Sequence, residues 1–221
     1  MQKTKIEWTD YVWNPIKGLC PNGCFYCYAR KIYERFGWNT EIRFELHDFK
    51  AIDRLHRKNI PDGSKVFVCS TFELFHPEVP KSWRRDIFNT IKINPKIIFQ
   101  VLTKFPQNID RKMPDNVWLG VTVDQNKAFK FDKIHPFWNN KAKIKFVSFE
   151  PLLERIPFTW LTKYGFDWII LGRLTGFGKK YDPKREWIKE LVDRAKQINK
   201  PIFLKDNLQE IWGGPLIQEF P

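Results

Sequence analysis

The stretch "DYVWNPIKGLCPNGCFYCYARKIYERFG", residues 10–37, holds three patterns in succession. Residues 10–15 are bulky and apolar between polar neighbours, which reads as a strand. Residues 27–37, "CYARKIYERFG", read as a helix with a glycine where helices commonly stop. Between them lie Cys20, Cys24 and Cys27, three of the chain's four cysteines, in the spacing C-x3-C-x2-C. Strand, loop and helix in this order make one β/α unit, with its reactive side chains in the loop where the strand ends.

The strand and helix patterns recur along the chain. Apolar runs lie at 64–70 (SKVFVCS), 96–103 (KIIFQVLT), 117–123 (VWLGVTV), 143–149 (KIKFVSF), 167–172 (DWIILG) and 201–205 (PIFLK). Several are apolar on consecutive positions, as in strands covered on both faces. Helical patterns alternate with them. One spans 48–59, with Asp48 to cap its start; another spans 80–95 and is bracketed by prolines. A third spans 184–199 and sets Trp187, Ile188, Leu191, Val192, Ala195 and Ile198 on one face. Such alternation implies parallel strands joined by right-handed crossovers. The expected fold is α/β: a parallel β/α barrel, partial or full, of six to seven βα units, with an open doubly wound sheet as the rival. No low-complexity linker or internal repeat divides the chain, so residues 1–221 are expected to form a single domain.

Composition narrows the function classes. With 43% hydrophobic and 16% aromatic residues, the 221-residue chain has the means for a sizeable core, and 29% charged residues suit a soluble globular protein. No apolar run is long enough to cross a bilayer, and the start lacks the apolar centre of a signal peptide. The expected compartment is the cytoplasm, with no membrane partner. Clustered thiols there bind metal or do chemistry more often than they form disulfides. A net charge of +13 favours nucleic acid or another acidic partner. The plainer reading is a set of solvated lysines that keeps the protein in solution.

In β/α folds the chemistry collects where strands end. At those ends stand Asn14 and the cysteine loop, Ser70 through His76, Thr103 and Lys104, Asp124, Glu150, Arg173, and Lys205 with Asp206. Asp48 and Asp124 also read as plain helix caps. Pro21, Asn22 and Gly23 favour a tight loop that aims three thiols at one point. A structural zinc wants four ligands, so Cys69 or His76 would have to complete the set. An ordinary iron–sulfur protein supplies four cysteines. Three cysteines leave one iron of a cubane without a protein ligand, and an open iron is a place for a cofactor or substrate.

The run Cys20-Pro-Asn-Gly-Cys24-Phe-Tyr-Cys27 resembles the signature of the radical S-adenosylmethionine (SAM) superfamily, which also sets an aromatic residue, here Tyr26, before the last cysteine. The segments "KIEWTDYVWNPIKG", "VFVCSTFELFHPEVP", "FQVLTKFP", "VWLGVTVDQN", "FVSFEPLL", "DWIILG" and "FLK", in that order, resemble a phage-associated, three-cysteine family of radical-SAM-like proteins. The resemblance implies a 4Fe–4S cluster held by Cys20, Cys24 and Cys27, with SAM chelating the open iron. It further implies reductive cleavage of SAM to a 5′-deoxyadenosyl radical, and an electron donor such as a flavodoxin or ferredoxin. Phe25, Tyr26 and Tyr28 would shelter the cluster or simply pack.

Site roles follow from the same resemblance. Ser70, Thr71 and Glu73, after the second strand, would receive the SAM ammonium. Glu150 would bind the ribose hydroxyls or the substrate. Arg173 stands where these relatives carry Gly-Glu; it would hold the SAM carboxylate or a substrate phosphate, or form a salt bridge. Lys205 would contact phosphate or donate a proton, unless it pairs with Asp206 or Glu210. Cys69 is a candidate hydrogen-atom donor, or a small buried thiol in the core. Charge and the phage-associated relatives favour a nucleic acid or nucleotide as substrate, and Phe137 and Trp138 either stack on bases or pack inward. The alternative is a zinc-stabilised or catalytically inactive barrel that binds nucleic acid.

Overall fold

The apolar runs become parallel strands laid side by side in chain order. The computed structural model describes residues 1–45, 60–124, 131–157 and 165–221. A short β1 (Gln2–Lys3) pairs antiparallel with β2 (Tyr11–Trp13), and a small ribbon joins β3 (Ile16–Lys17) to β4 (Arg43–Phe44). The main strands are β5 (Lys65–Val68), β6 (Ile98–Thr103), β7 (Val117–Thr122), β8 (Ile144–Phe149), β9 (Trp168–Leu171) and β10 (Ile202–Leu204). The eight-stranded sheet runs β1-β2-β5-β6-β7-β8-β9-β10, and every pairing from β2 onward is parallel. A doubly wound sheet reverses its strand order partway, and this one does not. Its hydrogen-bonded order begins at β1 and ends at β10, so the structure shows a mostly parallel sheet and not a closed barrel.

The helices form where the periodicity places them. Helix α1 (Tyr28–Phe36) ends at Gly37, whose φ of 60° is left-handed and whose N–H closes on the Tyr33 carbonyl. Helix α2 (Lys81–Lys92) buries Ile87, Phe88 and Ile91. Helix α3 spans Phe131–Trp138. Helix α4 (Arg185–Gln197) buries Ile188, Leu191, Val192 and Ala195, and leaves Trp187 and Ile198 half-buried at the edges of that stripe. A short α5 (Gln209–Trp212) follows β10. Strand–helix alternation gives way between β6 and β7, which are joined through a single 3-10 turn at Pro106–Asn108. The helix read at 48–59, with Asp48, lies outside the described residues.

Both faces of the sheet are covered, which is why the strands read as largely apolar runs. Alternate residues go to opposite faces. Val66, Val68, Phe99, Val101, Leu119, Val121, Val147, Phe149, Ile169 and Leu171 join the core that includes the helix faces. Phe67, Trp118, Phe146, Trp168, Ile170 and Phe203 gather separately around Trp8. The Trp8 ring lies 4.9 Å from Phe67 on β5 and 6.3 Å from Trp168 on β9. On a flat sheet those strands would be about 19 Å apart, at about 4.8 Å per step. The sheet therefore curls tightly around an aromatic plug. The far C-terminus closes one end: the Glu219 carbonyl accepts from Trp168 Nε1 at 2.8 Å, and the Phe220 ring lies 5.4 Å from that indole. No helix among the described residues is long and apolar enough to cross a membrane.

Candidate active site

The cysteine loop is tied down at its base before any thiol is reached. Leu19 N–H donates to the Thr40 carbonyl at 2.9 Å, and Gly18 N–H donates to the Tyr33 hydroxyl at 2.9 Å. The β3–β4 ribbon closes the same junction. Beyond it, Cys20, Cys24 and Cys27 are all free and half-buried. Burial pushes the Cys20 thiol up, and the backbone N–H groups of Asn22 and Glu73 partly offset this. Burial also raises Cys24, against the pull of the Lys104 charge. The Cys27 charge is felt by both other thiols, so the three share one electrostatic neighbourhood. The expected aromatic shelter is only partial. Tyr26 is half-buried, but Phe25 is 53% and Tyr28 52% exposed.

Asp124, just past the end of β7, reads from its position both as a site residue and as a helix cap. Here its carboxylate accepts the Tyr26 hydroxyl and lies 3.6 Å from Lys104 Nζ. Lys104 Nζ in turn sits 5.3 Å from the centre of the Tyr26 ring. Tyr26, just before Cys27, is thus fastened to the residues that follow β6 and β7. Burial and the Asp124 charge hold the Tyr26 hydroxyl protonated far beyond its ordinary range.

Glu73 was expected to meet a ligand ammonium. It is 8% exposed and already occupied. Oε1 accepts from Thr103 Oγ1 at 2.6 Å and Phe75 N–H at 3.0 Å, and Oε2 accepts from Lys104 N–H at 2.8 Å. Burial still raises its pKa above the usual carboxylate range. Ser70 and Thr71 are half-buried beside it. Ser70 Oγ donates to Asn14 Oδ1 at 3.2 Å, and the Ser70 carbonyl accepts the Tyr28 hydroxyl at 2.6 Å. Cys69, just before, takes a left-handed φ of 57° and is buried in the outer core. Burial drives its thiol pKa strongly upward.

Opposite this side, Lys205 Nζ pairs with Glu150 Oε1 at 2.9 Å and Glu7 Oε2 at 3.5 Å. Its expected partners, Asp206 and Glu210, are engaged elsewhere. Asp206 accepts from Gln218, and Glu210 lies 3.3 Å from Arg173. Burial alone would lower the Lys205 pKa, but the charge and hydrogen bond of Glu150, joined by Glu7, raise it. Glu150 Oε2 also accepts from Ser148 Oγ at 3.0 Å. A β-carbon on Gly172 would stand 2.8 Å from Glu150 Oε1, so only glycine leaves this pair its room. Arg173 is held between Asp182 and Glu210, each at 3.3 Å, and its backbone is clamped by the Asn207 side chain. Of the two readings for Phe137 and Trp138, stacking or packing, Phe137 is fully buried 5.9 Å from Phe166, and Trp138 packs half-buried against the core shared with the helices.

Glu7 and the Tyr26–Asp124 link are the contributions that residue patterns missed. Asp124 carried a signal, its place at a strand end; Glu7 carried none, because it precedes the first parallel strand. Among the described residues no three His, Cys, Asp or Glu side chains are arranged to hold a metal ion. A lone tetrahedral zinc with bonds of about 2.3 Å needs sulfurs about 3.8 Å apart. A cubane takes one thiolate at each of three corners and leaves its fourth iron without a protein ligand. Three free, half-buried thiols on one anchored loop suit the cluster's donor chemistry, and the fourth, Cys69, is buried in the core next to Cys20.

Three solved structures of spore photoproduct lyase, a radical SAM enzyme, share the fold. A mutant with bound AdoMet and dinucleoside spore photoproduct aligns with 100% of this chain and 79% of its own, at TM-score 0.64 and 13% identity. A second mutant aligns with 96% and 77%, at 0.63 and 13%. The complex with dinucleoside spore photoproduct aligns with 89% and 63%, at 0.59 and 11%. This chain therefore spans less than two thirds of that last protein. At these identities the likeness is one of fold, and it bears out the radical SAM resemblance at that level. No curated protein matches the chain. A family model described as "Protein of unknown function (DUF5131)" matches residues 3–214, and the chain belongs to that family.

Proposed function

We propose that this chain is a radical SAM enzyme whose Cys20, Cys24 and Cys27 hold a 4Fe–4S cluster and whose substrate is a nucleic acid or nucleotide. The observation that carries the reading is the loop itself: three free thiols, anchored at the end of the first parallel strand, in the fold of a radical SAM lyase. Cys20, Cys24 and Cys27 would hold the cluster, which when reduced would supply the electron for reductive cleavage of SAM and so the radical chemistry of the reaction.

The chain's own residues orient the reactants and keep water out. Ser70 and Thr71 offer hydroxyl oxygens to the SAM ammonium. Glu73, with both oxygens occupied, sets the shape of that turn by binding the end of β6. Glu150, steadied by Ser148 and Lys205, presents a carboxylate to ribose hydroxyls. Lys205 keeps its proton and offers an ammonium to a phosphate. Arg173 neutralises Asp182 and fixes the loop after β9. Cys69 packs in the core. A flavodoxin or ferredoxin fits as electron donor.

The test is turnover. Protein purified and reconstituted without oxygen, then reduced with dithionite, should convert SAM to 5′-deoxyadenosine. Alanine at any of the three loop cysteines should abolish this. Absence of 5′-deoxyadenosine from cluster-loaded wild-type protein would sink the reading.

A further inference from the structure

Three rings stand at the lip of the site, where the function above does not use them. Phe25 follows Cys24 directly and is 53% exposed. Its ring lies 5.9 Å from Phe177 and 5.6 Å from Tyr181, which are themselves 6.3 Å apart. Phe177 and Tyr181 come from the loop and 3-10 turn after β9 (Lys179–Tyr181). Cations surround the triangle. Lys31 Nζ lies 3.6 Å from the centre of the Phe177 ring, and Lys180 Nζ 4.8 Å from that of Tyr181. Lys179 is exposed beside them. Among the described residues these three lysines make no ion pair, while Asp182, next along the chain from the turn, is paired with Arg173.

Packing explains a buried ring; it does not explain Phe25, exposed over two half-buried neighbours, Phe177 and Tyr181. Rings at an open lip, bordered by ammonium groups, match the two faces of a single strand: bases that stack and phosphates that carry charge. The chain's net charge of +13 has the sign such a partner requires. We infer that Phe25, Phe177 and Tyr181, with Lys31, Lys179 and Lys180, form a stacking platform for single-stranded nucleic acid beside the cysteine loop. The inference rests on the nucleic-acid part of the proposed function and gives it a surface.

The test uses the full chain and a fluorescent twelve-nucleotide strand, as DNA and as RNA, with anisotropy as the readout. Phe177→Leu and Tyr181→Leu keep apolar volume and remove the ring; each should weaken binding roughly 5- to 150-fold. Neither should matter for an abasic strand of the same length. Tyr181→Phe keeps the ring and should bind as wild type. Lys31→Gln and Lys180→Gln should each lower the slope of log affinity against log salt by about 0.7. Equal binding by wild type and both leucine variants overturns the platform. So does equal affinity for duplex, whose bases are already stacked. Iron content and 5′-deoxyadenosine formation, measured on the same preparations, are read separately. Wild-type protein that makes 5′-deoxyadenosine yet binds no strand refutes the platform and leaves the cofactor reading standing.

Discussion

The inner space of the curled sheet is dry at one end and polar at the other. At the dry end Trp8, Phe67, Trp118, Phe146, Trp168 and Phe203 fill the volume with rings. At the polar end the same strands finish in Ser148, Glu150, Lys205 and the turn that carries Ser70 and Glu73. The plug is a packing solution that any set of well-fitting rings would satisfy. The mouth is a charge solution, in which each group has a named partner. The strands thus split their labour along their length: one half fixes the curvature, and the other half spends that rigidity on placing reactive groups.

The sharpest way to break this contrast is in the cysteine loop. Replacing Cys20, Cys24 or Cys27 by alanine should reduce bound iron from about four per chain to near none, since a cluster with two protein thiolates is poorly held. The fold should survive, because none of these thiols belongs to the buried core, though Cys20 packs against its edge. Colorimetric iron and sulfide with a parallel thermal melt separates the two effects. Trp168→Ala should do the reverse, costing about 3–5 kcal/mol of stability in chemical denaturation. Collapse of the fold in the cysteine variants, or a neutral Trp168→Ala, would erase the distinction between the two ends.

A smaller effect tests the charge side alone. Lys205→Met leaves Glu150 and Glu7 without their cation and should cost about 1–3 kcal/mol. That is less than for a fully buried pair, because the Lys205 and Glu150 side chains keep 19% and 20% exposure. The pH dependence has a definite sign. The folded pKa of Lys205 is raised, so the pair's contribution is complete below the ordinary value of 10.5 and is lost as pH rises through the raised one. The gap in melting temperature between wild type and Lys205→Met should be full at neutral pH and narrow in strong alkali. A gap independent of pH would assign the loss to packing of the lysine stem. Smallest of all, Cys69→Ala should leave iron content unchanged and cost about 1 kcal/mol. Iron loss there would make Cys69 a ligand.

What was legible in the chain follows the range of the interactions. The strands showed because both their faces are buried, so Val66 through Val68 or Trp168 through Leu171 carry no polar interruption. Helix α4 showed because its buried residues recur on one face. The cysteine loop showed because its spacing is local. The pairings across the mouth did not show. Lys205 meets Glu7 across nearly the whole chain, and Tyr26 meets Asp124 across 98 positions. Local reasoning gave Lys205 the acids nearest in sequence, Asp206 and Glu210. Curvature chose differently, by bringing the segment before β2 against the end of β10. The same curvature turned Phe137 inward and left Phe25 at the lip.

The most direct measurement is electron paramagnetic resonance of the anaerobically reconstituted, dithionite-reduced protein, recorded with and without SAM. A signal of a reduced 4Fe–4S cluster whose g values shift when SAM is added means that the iron without a protein ligand takes SAM. A cluster signal that SAM leaves unchanged, or a colourless protein holding stoichiometric zinc, would contradict it.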